Sequence, residues 1–389
     1  MMESTKQISR GRIKVLQLIT GLDVGGAERM LQQLVARIDR DRFDVEVGSL
    51  LPAGSLASEI ERTGTPVWSL DMKRGLPYPW KLSTLASKLR RTSPDLVHTW
   101  MYHADLMGSL SARRAGNIPV VWGVHNSSLE SGVTKRSTVM TARLCARISN
   151  RYPAGIQYCS ELSRRVHAEI GYRNDRTLVI PNGFDVGVFK PDPEARAGVR
   201  TELGLTGDSL IIGLVARFDP SKDHRTFVRA AGKLAERDDD VHFMLCGKDV
   251  DASNGKLMGW VESTGVKDRF HLLGLRGDIP RLSAALDIAT SCSRNEAFPL
   301  VVGEAMSCGV PCVVTDVGDS ALLVGDTGVV VPPGDAGALC GAWRRLIDLG
   351  GAGRREMGAG ARRRVADHYH VDQIVRQFEN FYLAVTGDK

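Results

Sequence analysis

No apolar run in the 389 residues approaches the roughly eighteen that a bilayer-spanning helix needs, and the N-terminus has no signal-peptide core. These absences point to a cytoplasmic protein rather than an integral membrane or secreted one. The seven cysteines (145, 159, 246, 292, 308, 312 and 340) are scattered without C-x-x-C or metal-ligand spacing, several in apolar contexts. They read as reduced, buried thiols, which sets aside a disulfide scaffold and a zinc module. Aromatic residues make up 6% of the chain, and no basic patch is interleaved with them in the way that stacks bases, so nucleic acid is not an expected partner. Short-period repeats and low-complexity tracts are lacking too, which excludes a solenoid.

What is present is an ordinary globular composition, 43% hydrophobic and 25% charged. The length exceeds what one hydrophobic core usually serves, which predicts two domains. Net charge is +6 and unevenly spread: residues 1–190 carry 27 Lys and Arg against 17 Asp and Glu, the remainder 24 against 28. The basic first half suggests an anionic partner there, a membrane surface or a phosphate-bearing acceptor.

Short apolar runs alternate with helical periodicity. Ile13–Ile19, Phe43–Leu50, Leu96–Thr99 and Val120–Val124 read as strands, with helical patterns over Glu28–Ile38 and Trp80–Arg91. The pattern restarts at Leu210–Val215 and continues with His242–Cys246, Phe270–Leu273 and Leu286–Ser291. Strands separated by helices imply parallel sheets with right-handed crossovers. Pro181–Pro193, rich in Pro, Gly and Asp, reads as a linker. The expected architecture is α/β, two doubly wound domains over residues 1–190 and 191–370, with ligand loops at the carboxyl ends of the strands and a cleft as the default site. Neither half has G-x-G-x-x-G after its first strand, so a nicotinamide-type fingerprint is absent. Arg344-Arg345 and Arg362-Arg363-Arg364 read as solvated helix faces.

The most informative stretch is Ser293–Pro311. A helical pattern over Val302–Ser307 stops at Gly309, which places Phe298-Pro299-Leu300 at a helix N-terminus, where unbonded N–H groups and the dipole suit a nucleotide diphosphate. Glu304, a turn into the helix, is placed to accept from two vicinal ribose hydroxyls, and Glu296, before the helix, from hydroxyls of a transferred sugar. A carboxylate is acceptor-only and takes two O–H donors at once. Arg217 and Lys222 follow the first strand of the second domain and offer fixed cations for a diphosphate leaving group. Gly25-Gly26, after the first strand of the chain, let a backbone approach phosphate or sugar closely. His125 and Asn126 end the strand from Val120, and Arg276, just after Gly274, is a candidate to flank a nucleobase. His98, His103 and Asp105 could form an acceptor cluster or metal site, with core and acceptor-side wall the preferred reading. Over Lys135–Arg151, Arg143, Arg147 and Arg151 recur every four residues beside an apolar stripe of Val139, Met140, Leu144 and Ile148. That is either an ordinary helix with its stripe in the core or a basic amphipathic helix lying on an anionic bilayer. No Asp-x-Asp motif is read at a strand end, so neither a divalent metal nor a cofactor is expected.

The string Glu296-x7-Glu304-Ala305-Met306-x-Cys308-Gly309-x-Pro311 closely resembles the signature of the retaining glycosyltransferases of family 4 (glycosyl transferases group 1). The resemblance covers most of the chain. It implies the GT-B fold, two Rossmann-like domains facing each other across a cleft, with residues 371–389 as a helix crossing back onto the first. It also implies that Arg217 and Lys222 clamp phosphate, that the Gly25-Gly26-Ala27-Glu28 loop faces the donor diphosphate and acceptor, and that His125 contacts the donor sugar near its reacting carbon. Asn126, Ala297, Phe298, Pro299, Leu300 and Glu304 complete the expected donor site. Asp223 and Ala297 stand where the family often has glycine, so Ala297 is expected to strain a backbone needing positive φ, and Pro299 removes one N–H donor.

The implied reaction moves a hexosyl or N-acetylhexosaminyl group from a nucleotide sugar, UDP-linked by family prevalence, to a hydroxyl with retention of configuration. The departing diphosphate would take the hydroxyl proton on the same face, with domain closure about a hinge at Asn182–Pro191. Expected partners are the nucleotide-sugar donor, a glycan or lipid-linked acceptor of cell-envelope synthesis, and an anionic membrane surface, with a peripheral location at the inner face of the cell membrane. Two alternatives stay open: a nucleotide-sugar epimerase of the same fold, which would want further acid/base groups near the sugar, and a catalytically silent partner subunit, against which intact Glu296, Glu304, Arg217 and Lys222 argue.

Overall fold

The computed structural model describes residues 11–23, 25–73, 79–129, 134–173, 175–205, 209–237 and 240–387. They form two compact units. The first holds the described residues up to Cys159, Ser163–Ile180 and those from Ile374 onward; the second holds Ser160–Leu162 and Pro181–Gln373. The division therefore falls after Ile180, at the start of the Pro181–Pro193 stretch and ten residues before the domain bound expected at 190.

The first unit contains β1 (Ile13–Ile19), α1 (Gly26–Arg37), β2 (Phe43–Ser49), α2 (Ala57–Glu61), β3 (Val67–Ser69), α3 (Pro79–Thr92), β4 (Leu96–Trp100), α4 (Tyr102–Gly116), β5 (Val120–Val124), α5 (Arg136–Ile148), β6 (Gly155–Tyr158), most of α6 (Glu161–Glu169) and β7 (Thr177–Val179). Its strands are parallel in the order β3-β2-β1-β4-β5-β6-β7. The second contains α7 (Pro193–Glu202), β8 (Leu210–Val215), α8 (His224–Ala235), β9 (Val241–Cys246), α9 (Gly255–Glu262), β10 (Phe270–Leu272), α10 (Ile279–Ala285), β11 (Ile288–Ser291), α11 (Leu300–Ser307), β12 (Cys312–Thr315), α12 (Ser320–Val324), β13 (Gly328–Val331), α13 (Ala336–Asp348) and α14 (Gly350–His368). Its strands are parallel in the order β10-β9-β8-β11-β12-β13. The last helix, α15 (Val371–Thr386), starts in the second unit and belongs to the first from Ile374.

Helices on both faces explain why strands such as β4, β5 and β11 are buried along their whole length and read as continuous apolar runs. In each sheet the winding direction reverses once, between β1 and β4 and between β8 and β11. At such a reversal the loops leaving neighbouring strands diverge, and their carboxyl ends frame a crevice. Gly25-Gly26 leave β1, while the Arg217–Lys222 and Ser293–Leu300 segments leave β8 and β11.

The expected linker is docked onto the second unit rather than forming a free hinge. Phe184 is buried, its ring stacks on Phe298 at 6.1 Å, and a Cβ added at Gly303 of α11 would meet that ring at 2.1 Å. Phe184 N–H donates to Tyr369 O at 2.9 Å. Arg362, expected on a solvated face, donates to Val186 O (3.0 Å), Phe189 O (3.1 Å) and Ser307 O at the C-terminal end of α11. A guanidinium there satisfies carbonyls left over by helix and loop and complements the helix dipole. Arg364 likewise donates to Leu322 O and Leu323 O. Arg362→Ala should therefore lower the unfolding free energy by about 2 kcal/mol in denaturant titrations; an unchanged midpoint would return Arg362 to the solvated face.

Candidate functional site

The two second-unit motifs, 74 residues apart, meet at the β8/β11 reversal. Beyond β8, Asp219 caps a single 3-10 turn (Pro220–Lys222), accepting from Ser221 N at 2.9 Å and Ser221 Oγ at 2.6 Å. Lys222 then extends to an ion pair with Glu296 Oε1, which also accepts from Ser293 Oγ at 2.8 Å. Arg294 adds two ties, its N–H to Ser221 O at 2.7 Å and its Nε to Asp223 Oδ2 at 2.8 Å. Arg217 is far more open, its side chain 61% exposed and its Nε 3.4 Å from Asp219, against 20% and 13% exposure for Lys222 and Glu296.

Asp223 does occupy a glycine-like position, with φ 47° and ψ 49°. An aspartate tolerates it because its short side chain bonds locally, here to Thr226 Oγ1 at 2.7 Å at the start of α8. The strain expected at Ala297 does not arise, since Ala297 is not among the non-glycine residues with positive φ. The tight constraint lies at Gly318 instead. It has φ 60°, and a Cβ there would stand 2.3 Å from Glu296 O and 2.7 Å from Ala297 O. Asp319 N–H completes the support by donating to Ala297 O at 3.0 Å. Sequence reasoning missed this prop, whose only signal is a Gly-Asp pair just after the apolar Cys312–Val314 run.

Pro299 is the N-cap of α11 and supplies no side-chain cap, so the first N–H groups of the helix, from Leu300 on, have no capping side chain. Such an end suits an anion. Glu304 follows one turn in and is partly buried. Phe298, in contrast, turns its ring into the core against Phe184 and Tyr369, so only its backbone remains for a ligand. Arg276 is engaged by Asp278 (2.7 and 2.8 Å) and by Glu202 (2.7 Å), and Arg281 joins the same two carboxylates. These guanidiniums hold the Asp278 carboxyl down to about 2, and Arg276 would have to leave both partners to flank a base. One Asp-x-Asp does stand beyond a strand: Asp249-Val250-Asp251 follows β9, with Asp251 accepting from Ser253 N at 2.9 Å. The expectation that none lies at a strand end needs that correction.

In the first unit, Gly25 is the N-cap of α1 in an extended conformation, and a Cβ there would stand 2.3 Å from the Glu28 carboxylate. The glycine pair thus serves close approach, with the Glu28 carboxylate lying over the helix start. His125 follows β5 and stacks on Trp100 at 4.9 Å and 21°. Both of its ring nitrogens are buried, and burial lowers its pKa to about 3 against the smaller opposing effect of a hydrogen bond with the Gln157 side chain, so the ring is neutral at physiological pH. Asn126 beside it accepts from Ser128 N at 3.1 Å.

His98, His103 and Asp105 do not converge. His98 is buried against Tyr382, Asp105 is buried and accepts from Thr99 Oγ1 at 2.6 Å, and His103 is exposed. Among the described residues no three His, Cys, Asp or Glu side chains are grouped to hold a metal. A feature the sequence did not disclose is Met101, which joins β4 to α4 at φ 71° and ψ 156°, a region that non-glycine residues enter only under constraint. The stripe expected on α5 divides: Val139 and Ile148 are half-buried, while Met140 (72%) and Leu144 (43%) are exposed, and the buried face of the helix is formed instead by Ala142, Cys145 and Ala146.

Residues 24–188 match the family model described as Glycosyltransferase Family 4, and residues 209–348 the one described as Glycosyl transferases group 1. The UDP-Gal:alpha-D-GlcNAc-diphosphoundecaprenol alpha-1,3-galactosyltransferase of Escherichia coli is 24% identical over 405 residues, covering 100% of both chains. A D-inositol 3-phosphate glycosyltransferase of Salinispora tropica is 26% identical over 92% of this chain and 81% of its own. The crystal structure of Anabaena Alr3699/HepE in complex with UDP is similar at a TM-score of 0.83 and 25% identity, over 96% of this chain and 100% of that one. No described helix is long and apolar enough to cross a membrane.

His125 yields a direct check. Its folded pKa lies below the unfolded value near 6.5, so its share of stability is complete above that value and is lost as pH falls toward about 3. NMR titration should show its ring signals flat from pH 8 to 5; a midpoint near 6.5 would contradict the buried, neutral ring.

Proposed function

Since the chain belongs to the family 4 glycosyltransferases of group 1, enzymes that move a sugar from a nucleotide sugar, we propose that it is a retaining, metal-independent hexosyl- or N-acetylhexosaminyltransferase using a UDP-linked donor. The observation that carries this reading is the Lys222–Glu296 pair at the β8/β11 reversal, flanked by the uncapped start of α11. On donor binding the two groups exchange partners, Lys222 turning to the diphosphate with Arg217 and Glu296 to the sugar hydroxyls. Glu304 takes the ribose hydroxyls. As the glycosidic bond breaks, negative charge grows on the diphosphate, where the cations and the N–H groups from Leu300 stabilise it more than in the ground state. The same oxygen accepts the acceptor hydroxyl's proton on the face it leaves, which retains configuration. For His125 the role taken is the one that the family resemblance implies, a contact to the donor sugar, and a neutral ring in that role does not oppose the positive charge that develops at the reacting carbon. UDP is favoured by the UDP-Gal named for the E. coli relative and by the UDP bound to the Anabaena protein.

The acceptor is a glycan or lipid-linked hydroxyl of envelope synthesis, in keeping with the diphosphoundecaprenol named for the E. coli relative. A membrane face fits it. Helix α3 packs on α4 and α4 on α5. Together they carry nine Lys and Arg, and their one acid, Asp105, is buried. Trp80 (60% exposed), Met140 and Leu144 project among these cations. Cations that attract anionic head groups beside apolar side chains that enter the interface are the two elements of peripheral binding.

Glu296→Ala should lower the transfer rate at least a hundredfold while UDP affinity stays within about threefold, as for a group acting on the sugar rather than the nucleotide. A fully active variant would sink its role. Transfer should persist in chelator, whereas its loss both there and in Asp251→Asn would bring a metal into the reaction. The protein should sediment with phosphatidylglycerol vesicles but not phosphatidylcholine ones at moderate salt, and both Arg143→Glu/Arg147→Glu and Met140→Asp should weaken this; no sedimentation would remove the membrane face.

A further inference from the structure

We propose that Tyr382, near the C-terminus, is a positioning residue for sugar transfer, holding the His125 ring in place through Gln17 and Trp100. The His125 ring is oriented by its stack with Trp100, with the Gln157 side chain beside it as a hydrogen-bonding neighbour. Trp100 is wholly buried at the end of β4, and its indole Nε1 donates to Gln17 Oε1 at 2.8 Å. Gln17 Nε2 donates to Tyr382 Oη at 3.0 Å, and that hydroxyl meets His98 Nδ1 at 2.7 Å. His98 closes the circuit by packing on Trp100 at 4.6 Å, with Phe378 of the same C-terminal helix against both rings.

The indole fixes the direction of the first two links in this chain. An indole N–H can only donate, so Gln17 must present its oxygen to Trp100 and its amide nitrogen to Tyr382. The tyrosine hydroxyl accepts that bond and makes a second hydrogen bond with His98 Nδ1. Removing the hydroxyl leaves the buried Gln17 amide without an acceptor and free to rotate, and with it the partner that fixes the indole. The strained Met101 immediately follows, so Trp100 is held from its backbone on one side and from its ring on the other.

The inference rests on the role proposed above for His125. Tyr382→Phe keeps the ring that packs on Phe43 and Phe378 and deletes only the hydroxyl. It should lower kcat about tenfold while donor KM and UDP affinity stay within about twofold, the pattern of a misplaced reacting contact. The Trp100 indole and His125 ring signals should shift in NMR spectra of the variant. Gln17→Met should reproduce both effects by breaking the next link. Phe381→Leu is the structural control: that ring packs over Gly155 outside the circuit, so it should cost stability and spare kcat. An unchanged kcat in Tyr382→Phe, an equal loss in Phe381→Leu, or His125 signals that do not move would each overturn the proposal. Failure of the wild type to transfer any sugar would count against the transfer reading, and the NMR comparison would still decide the positioning.

Discussion

The ion pair between Lys222 and Glu296 is the contact on which the rest of the second unit's site depends. Each side chain is mostly shielded from water, so each needs the other while no ligand is present. The pair joins the loop after β8 to the loop after β11, and both loops are anchored independently, one by Asp219 and Asp223, the other by Gly318 and Asp319. Opposite charges held at a strand-end crevice have a simple chemical consequence: a ligand with an anionic end and a hydroxylated end can satisfy both at once. A sugar diphosphate is such a ligand, and the dipole of α11 points its positive end the same way.

Much of this was legible in the sequence because the parts lie in contiguous strings. Parallel strands buried on both faces announce themselves as apolar runs, and Glu296-x7-Glu304 with its helix stop is a local pattern. What the sequence hid was long-range or stereochemical. Arg362 reads as one more arginine in a basic helix; only the fold brings the carbonyls of Val186, Phe189 and Ser307 around it. Ala297 was expected to need positive φ, yet the backbone restriction falls on Gly318, twenty-one residues on, which meets the Glu296 and Ala297 carbonyls in space. Phe184 sits in a stretch whose Pro, Gly and Asp suggest a loose hinge, but one aromatic ring against Gly303 is enough to dock it.

The first unit shows a different economy of polar groups. His98, which the sequence offers as a possible ligand, is used internally, as the hydrogen-bond partner of a tyrosine 284 positions away. His125, five residues beyond the start of β5, has both ring nitrogens buried as well, with the Trp100 ring stacked on it and the Gln157 side chain beside it. The same helix that supplies Tyr382 also contributes Glu379, which accepts from Asp39 N at 2.8 Å, so the end of the chain is tied to β1, β4 and the turn before β2 together.

The central claim is that Lys222 exchanges Glu296 for the phosphates of a uridine nucleotide without help from a metal. Calorimetric titration of the metal-free protein with UDP, GDP and ADP, repeated on Lys222→Ala, tests it most directly. The account predicts UDP-selective binding that weakens at least tenfold in the variant, the worth of one charge-assisted contact. Binding that is absent from the wild type, or equally tight in Lys222→Ala, would contradict it.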